Sequence, residues 1–102
     1  MKTSILISSY NKGAYIDECL QSCLNQTHQD FEIIVLDNHS NDNTDLVLNK
    51  YYKDIIIKKE LKVSNHSAVN QIDLLKKAFL IAQGEVICFL DADDYFEENK
   101  LM

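Results

Sequence analysis

Three carboxylates stand within four residues at Asp91-Ala92-Asp93-Asp94, directly after Val86-Ile87-Cys88-Phe89-Leu90, the most apolar run in the sequence. Like charges packed this closely cost stability unless a cation offsets them. Carboxylate oxygens at a strand end are hard ligands that suit Mg²⁺ or Mn²⁺, and either ion would bridge to a diphosphate. The competing reading is a solvated acidic turn that caps a helix beginning near Glu97. Two more polar clusters follow apolar runs. In Asp37-Asn38-His39-Ser40, Asp37 could accept from a base imide or a ribose hydroxyl, or belong only to a helix cap. In Ser9-Tyr10-Asn11, Tyr10 is a candidate to stack on a base, and equally an amphipathic residue at the rim of a core.

These clusters need a frame that brings them together. Four short apolar runs are strand-like: Ile5-Leu6-Ile7, Ile33-Ile34-Val35-Leu36, Ile55-Ile56-Ile57 and Val86 to Leu90. They are continuous rather than alternating, the pattern of parallel strands covered on both faces. Between them the spacing is helical. From Ala14 to Leu24, Tyr15, Ile16, Cys19, Leu20, Cys23 and Leu24 form one stripe, with Asp17 and Glu18 near the positive end of the helix dipole. From Asn43 to Tyr52, Leu46, Val47 and Tyr51 form a second, with Ser40 or Asn41 as the expected N-cap. From Ser67 to Ala82, Val69, Ile72, Leu75, Phe79 and Ala82 form a third, and Gly84 stands after it as a helix stop. The order β-α-β-α-β-α-β predicts an α/β domain, an open and mainly parallel sheet of about four strands with helices on both faces. Such sheets bind ligands at the carboxyl ends of their strands, where the three polar clusters fall.

Composition narrows the chemistry. A chain of 102 residues holds one domain at most. The formal net charge of −6 argues against a nucleic-acid surface. All the positive charge is lysine; with no arginine there is no bidentate fork for a phosphate. No apolar run approaches the roughly 20 residues of a membrane span, and Ile5-Leu6-Ile7 is too short for a signal peptide. The three cysteines read as reduced thiols of a cytoplasmic protein. Cys19 and Cys23 read as small residues on a buried helix face, and Cys88 as core. His28, His39 and His66 lack zinc-site spacing. Lys58, Lys59 and Lys62 read as a solvated face.

Several segments, in order, carry a family resemblance. They are Ser4-Ile5-Leu6-Ile7-Ser8-Ser9-Tyr10-Asn11-Lys12, Tyr15-Ile16, Cys19-Leu20-Gln21-Ser22 and Asn25-Gln26-Thr27. Phe31 to Asp37, Ser40-Asn41-Asp42-Asn43-Thr44, Ala82 to Ile87 and Phe89-Leu90-Asp91-Ala92-Asp93-Asp94 continue it. Together they resemble the family 2 glycosyltransferases, which have the GT-A fold, over residues 4–101. The resemblance implies the nucleotide-sugar-binding half of a GT-A domain in residues 1–102. It places the family's D-x-D motif on Asp91-Ala92-Asp93. Asp93 is then the ligand of a divalent metal, Mn²⁺ or Mg²⁺. Asp91 belongs to the same metal site and approaches the ribose or donor sugar. Ser9 and Tyr10 fall where the family holds the base, and Asp37 on the first of a pair of aspartates.

The departures are specific. Asn38 replaces the second aspartate of that pair, which admits a thymidine as well as a uridine diphosphate sugar. Leu74-Leu75-Lys76 stands where the family has a small-residue, Arg, Asn run, and the glycine expected shortly after Asn65 is missing; Lys76 or Lys77 is the expected substitute in contacting the diphosphate. The chain reaches Met102 just after the D-x-D motif, whereas family members continue for about a hundred residues or more. The general base, typically worth about 10²–10⁴-fold in rate, is expected in that further half. The resemblance thus implies inverting transfer to an acceptor hydroxyl in the intact enzyme, in bacterial cell-surface polysaccharide synthesis at the inner face of the membrane. These 102 residues alone are expected to be inactive. The rival is a non-catalytic fragment that binds a nucleotide sugar or pairs with itself through an exposed sheet edge. A receiver-type signalling domain fits poorly, because Lys58-Lys59-Glu60 offers no phospho-accepting Asp after the third strand.

Overall fold

The computed structural model describes residues 2–26 and 30–92. Within them run β1 (Thr3–Ser9), α1 (Ile16–Leu24), β2 (Phe31–Asp37) and α2 (Thr44–Leu48), which continues as a 3₁₀ turn over Asn49–Tyr51. Then follow β3 (Ile56–Lys59), α3 (Ser67–Ile81) and β4 (Val86–Asp91). All pairs are parallel, and the sheet order is β3-β2-β1-β4. The predicted α/β class and alternation hold.

The sheet forms because two strands are apolar on both sides. Side chains alternate across a strand, so Ile5 and Ile7 of β1 join Ile33 and Val35 of β2 on one face, packed by Ile16, Cys19, Leu20 and Cys23 of α1 and by Val47 and Leu48 of α2. Leu6, Ile34 and Leu36 point the other way, against Leu74 and Ala78 of α3. Helices therefore cover both faces. Burying one such aliphatic side chain is worth roughly 1.5–3 kcal/mol, so these two strands dominate the core.

The outer strands differ from the expectation of strands covered on both faces. In β3, Ile56 is 40% exposed, and in β4 Val86 and Phe89 are 39% and 56% exposed. Three helices cannot cover four strands completely, and the edges are left bare. Cys88 is only partly buried, although it does pack against the core.

Helix stripes were also shifted. The buried face of α3 is Asn70, Leu74 and Ala78, at steps of four. Leu75 and Ala82 pack at its border, while Val69, Ile72 and Phe79 face out. The helix has two apolar faces and uses the narrower one against β1 and β2. The other, with Phe89, lines an apolar groove of about 510 Å³. In α2, Leu46 is exposed and Leu48 is buried beside Val47 and Tyr51, and Tyr15 is exposed before α1. The N-cap of α2 is Asn43, not Ser40 or Asn41; Asp42 accepts from the Thr44 N–H and hydroxyl instead.

Gly84 has a different role from the helix stop expected of it. No glycine has a positive φ. The Gly84 N–H donates to Ser4 Oγ at 2.8 Å, so the chain entering β4 lies directly against β1. A Cβ at Gly84 would sit 2.6 Å from Ser4 N and 2.9 Å from the Thr3 carbonyl carbon, both backbone atoms. Gly84→Ala is therefore expected to cost about 1–3 kcal/mol by forcing strands apart. Urea denaturation should show the midpoint falling with an unchanged slope; an unshifted midpoint would mean that the junction relaxes freely.

Candidate functional site

At the carboxyl ends of the strands the loops are stitched to one another. Asn38 N–H donates to the Ser9 carbonyl, Ala92 N–H to that of Ser8, and Glu60 N–H to that of Asp37, at 2.9–3.2 Å. Asn11 and His39 both adopt left-handed backbone, with φ of 52°. Asparagine tolerates this conformation better than most residues. There Asn11 N–H reaches Ser40 Oγ, and Asn11 Oδ1 accepts from Asn41 N–H, each at 2.8 Å. The loops after β1 and β2 thus hold each other.

β1 is the point where the strand order reverses: β2 and β3 lie to one side of it, β4 to the other. Open α/β sheets have their crevice at such a switch point. A cavity of about 330 Å³ opens there. Ser9, Tyr10, Asn38 and Asp91, four of the five residues expected to meet a nucleotide sugar, line it. Asp37 does not.

Asp37 is fully buried behind the cavity wall. Its carboxylate accepts from Ser40 N–H at 2.7 Å, Ser40 Oγ at 2.6 Å and Lys59 Nζ at 3.0 Å. Burial pushes its pKa up, but these hydrogen bonds outweigh burial and hold it below the usual aspartate value. Lys59 also pairs with Asp45. Burial favours its neutral form, and the two carboxylates more than reverse that, raising its pKa. Lys59, read in sequence as part of a solvated face, stays partly exposed but also pairs with the buried Asp37. Ser9 Oγ lies close enough to Asp37 to help lower its pKa, yet makes no well-formed hydrogen bond and is buried.

The α3 side of the cavity carries residues that helix periodicity did not single out. Gln71 Nε2 donates to Asp91 Oδ2 at 3.0 Å and fixes that carboxylate. Asn70 Oδ1 accepts from both Val63 N–H and Ser64 N–H at 3.0 Å, and its Nδ2 donates to the Ser64 carbonyl at 2.9 Å. A polar residue four before Leu74, in line with a buried helix face, was the available signal for Asn70. Lys76 lines the apolar groove instead, and Lys77 pairs with Asp73 at 2.9 Å, so neither lysine faces the cavity. The expected diphosphate contacts from those two are not supported; Ser67, Asn70 and Gln71 are the α3 residues at the cavity. Lys62 lines it too, its Nζ 3.5 Å from the centre of the Tyr10 ring.

Asp93 and Asp94 lie outside the described residues, as does His28. Among the described residues no three His, Cys, Asp or Glu side chains gather as a metal site. Asp91 nonetheless presents one oxygen-donor carboxylate at the cavity. Mg²⁺ is commonly held by one or two carboxylates, with water and substrate phosphates completing its shell, so this donor chemistry fits.

A parallel sheet with a crevice at its switch point, lined by Tyr10, Asn38 and Asp91, is the frame of a ligand-binding α/β domain. The chain belongs to glycosyl transferase family 2, whose model matches residues 4–102. It is 37% identical over 101 residues to an uncharacterized glycosyltransferase of Nostoc sp., covering 99% of this chain and 31% of that protein. It is likewise 37% identical over 107 residues to the poly(ribitol-phosphate) beta-glucosyltransferase of Bacillus spizizenii, covering all of this chain and 16% of the enzyme. The crystal structure of Staphylococcus aureus TarS 1-349 in complex with UDP has a TM-score of 0.76 to it at 31% identity, over 99% of this chain and 30% of that one. The four strands and three helices correspond to the N-terminal part of the GT-A fold. The chain spans less than a third of each of these three proteins.

Asp37 sets an acid limit on stability. Its pKa is lower folded than unfolded, so its contribution is complete above the unfolded value of about 4 and is lost as pH falls through the folded value. Asp37→Asn should cost about 2 kcal/mol near pH 7, since it removes charge-assisted bonds. It should also flatten the rise of stability with pH below about pH 4. Urea melts of both proteins from pH 2 to 7 test this; equal slopes in acid would acquit Asp37.

Proposed function

We propose that this chain is the donor-binding part of an inverting glycosyltransferase that uses a nucleoside diphosphate sugar, of the UDP or dTDP type, in building a bacterial cell-surface polymer. The observation that carries this reading is one cavity at the switch point with Tyr10 and Asn38 on one wall and Asp91 on another. The spacing suits a base held against Tyr10 and a sugar diphosphate directed at Asp91. The names of the similar Bacillus and Staphylococcus proteins, one a poly(ribitol-phosphate) glucosyltransferase and the other solved with UDP, favour a cell-wall polymer and a uridine donor.

Each residue has a defined task in this proposal. Tyr10 offers a ring face to the base. The Asn38 Nδ2 donates to the Glu60 carbonyl at 3.0 Å, which leaves Oδ1 as an acceptor suited to the imide N–H of uracil or thymine. Gln71 orients the Asp91 carboxylate toward the ribose or donor sugar. Asp37, buried and ionised, fixes the Ser40 turn and thereby the loop after β1, so it acts by positioning. Asp93 with Asp91 would hold Mg²⁺ or Mn²⁺, which neutralises charge on the departing nucleoside diphosphate. The general base that deprotonates the acceptor belongs to the further half present in the longer relatives. Among the described residues no helix is long and apolar enough to cross a membrane.

Titration calorimetry of the chain with UDP and dTDP, with and without Mn²⁺, tests the reading. Binding should be tighter with the metal, and EDTA should return it to the metal-free level. Asp93→Ala should bind equally in both conditions. If neither nucleotide binds the wild-type chain in either condition, the donor site is misassigned; if Asp93→Ala retains full metal dependence, the metal is held elsewhere.

A further inference from the structure

Two lysines, Lys12 and Lys62, line the cavity, and Lys59 and Lys77 stand outside it. Lys59 is paired with Asp37 and Asp45, and Lys77 with Asp73, so their charge is already matched. Lys62 is different: it lines the cavity, and among the described residues it has no carboxylate partner. Its ammonium rests on the Tyr10 ring, 3.5 Å from the ring centre. Cation–π attraction is weak at an exposed site and leaves the charge unneutralised.

The backbone on either side of Lys62 is pinned. Before it, the Glu60 carbonyl accepts from Asn38 Nδ2 at 3.0 Å, and the Glu60 N–H donates to the Asp37 carbonyl at 2.9 Å. After it, Val63 and Ser64 donate to the buried Asn70 side chain. Two buried amides therefore present one lysine at the cavity mouth, and its freedom lies in its side chain. Across the cavity stands the first turn of α3, at Ser67, with no side-chain cap and no acidic residue. In a chain of net charge −6, an ammonium without a carboxylate partner among the described residues and an uncapped helix start thus meet at one cavity.

We propose that Lys62 is a specificity-determining residue that reads the phosphate charge of the ligand, so that the cavity selects a nucleoside phosphate over the bare nucleoside. This rests on the donor-site reading above. A base stacking on Tyr10 displaces the ammonium from the ring, while the pinned backbone keeps it within reach of the ligand. The ammonium then exchanges ring contact for a phosphate oxygen, and charge-assisted hydrogen bonds are about twice as strong as neutral ones. An ammonium is a compact point charge with three rotatable donors, which suits it to reading charge and not the edge pattern of a base. Lys62 thus supplies, on the same cavity as Lys12, a positive charge that Lys76 and Lys77 are not placed to supply.

The test compares UDP with uridine, both titrated into ¹⁵N-labelled chain and followed by NMR so that weak uridine binding is measured, with Mg²⁺ present throughout. In Lys62→Met, UDP affinity should fall about ten-fold and uridine affinity should not change. The dependence of UDP affinity on salt should become shallower in the same variant. Lys62→Arg should restore the preference for UDP. Equal losses for UDP and uridine would show that Lys62 merely supports the Tyr10 ring, and no loss for either would return it to the solvent; each overturns the proposal. If the wild-type chain binds uridine and UDP equally, the donor site stands and charge reading falls. If it binds neither, the donor site falls first and this proposal with it.

Discussion

The structure depends on the double coverage of one strand. β1 is paired along both edges, with β2 and β4, and, unlike the other interior strand β2, each of its seven residues is buried. Apolar residues at Ile5, Leu6 and Ile7 require helices on both faces, and parallel pairing requires crossovers long enough to supply them. Once β1 is central, its end is where the strand order reverses, and the loops leaving β1, β2 and β4 must converge on Ser8, Ser9 and Tyr10. The site's location is thus a consequence of where the core is deepest. The same constraint makes Gly84 necessary, because the chain entering β4 can approach Ser4 that closely only without a Cβ.

At that end the core turns polar, and its polar groups are satisfied in a particular way. Asp37 is ionised and fully buried, a state that is costly unless the charge is paired and hydrogen-bonded. Ser40 and Lys59 meet both conditions. Asn38 and Asn70 instead bond to backbone, and between them they fix the start and end of the segment from Glu60 to Ser64. Asp37 lies behind the cavity, while Asn38 and Asn70 set loops and also line it, beside Tyr10, Lys62 and Gln71. Rigid loops are what allow a site to be built from side chains that are individually mobile.

Much of this could be read from the residues. The four apolar runs and the stripe of α1 name the right elements, because β1, β2 and α1 are buried at most positions their apolar pattern marks, Tyr15 being the exposed exception. Tyr10, Asn38 and Asp91 fall at one cavity because they stand at strand ends around the switch point of a parallel sheet. What escaped was of one kind. The apolar stripe of α3 from Val69 to Phe79 is a genuine pattern, but the helix has two apolar faces, and periodicity cannot say which of them meets the sheet. Choosing the wrong one hid Asn70, whose position in line with Leu74 and Ala78 marks the buried face. Likewise β3 and β4 read as covered strands, since an apolar run looks the same in the middle of a sheet and at its edge. Asp37 shows the reverse error: its position near the site was legible, while its burial depends on Lys59, twenty-two residues away, and no local pattern reveals such a pairing.

Lysine placement follows from the same long-range pairing and leaves positive charge at the cavity of an acidic chain. Net charge is a poor guide to a site because carboxylates and lysines cancel in pairs, and a surface ion pair contributes little field at a distance. Lys59 and Lys77 are cancelled in this way by Asp37, Asp45 and Asp73. Among the described residues Lys62 meets a ring and not a carboxylate. Asp91, on the same cavity, is held by a neutral amide, Gln71, so its charge is not cancelled by that contact either. The cavity therefore carries both signs over one small volume, Lys12 and Lys62 beside Asp91. On the proposed reading, such a distribution suits a ligand that carries its own negative charge at one end and recruits a cation at the other. An evenly acidic or evenly basic cavity would repel one of those two partners.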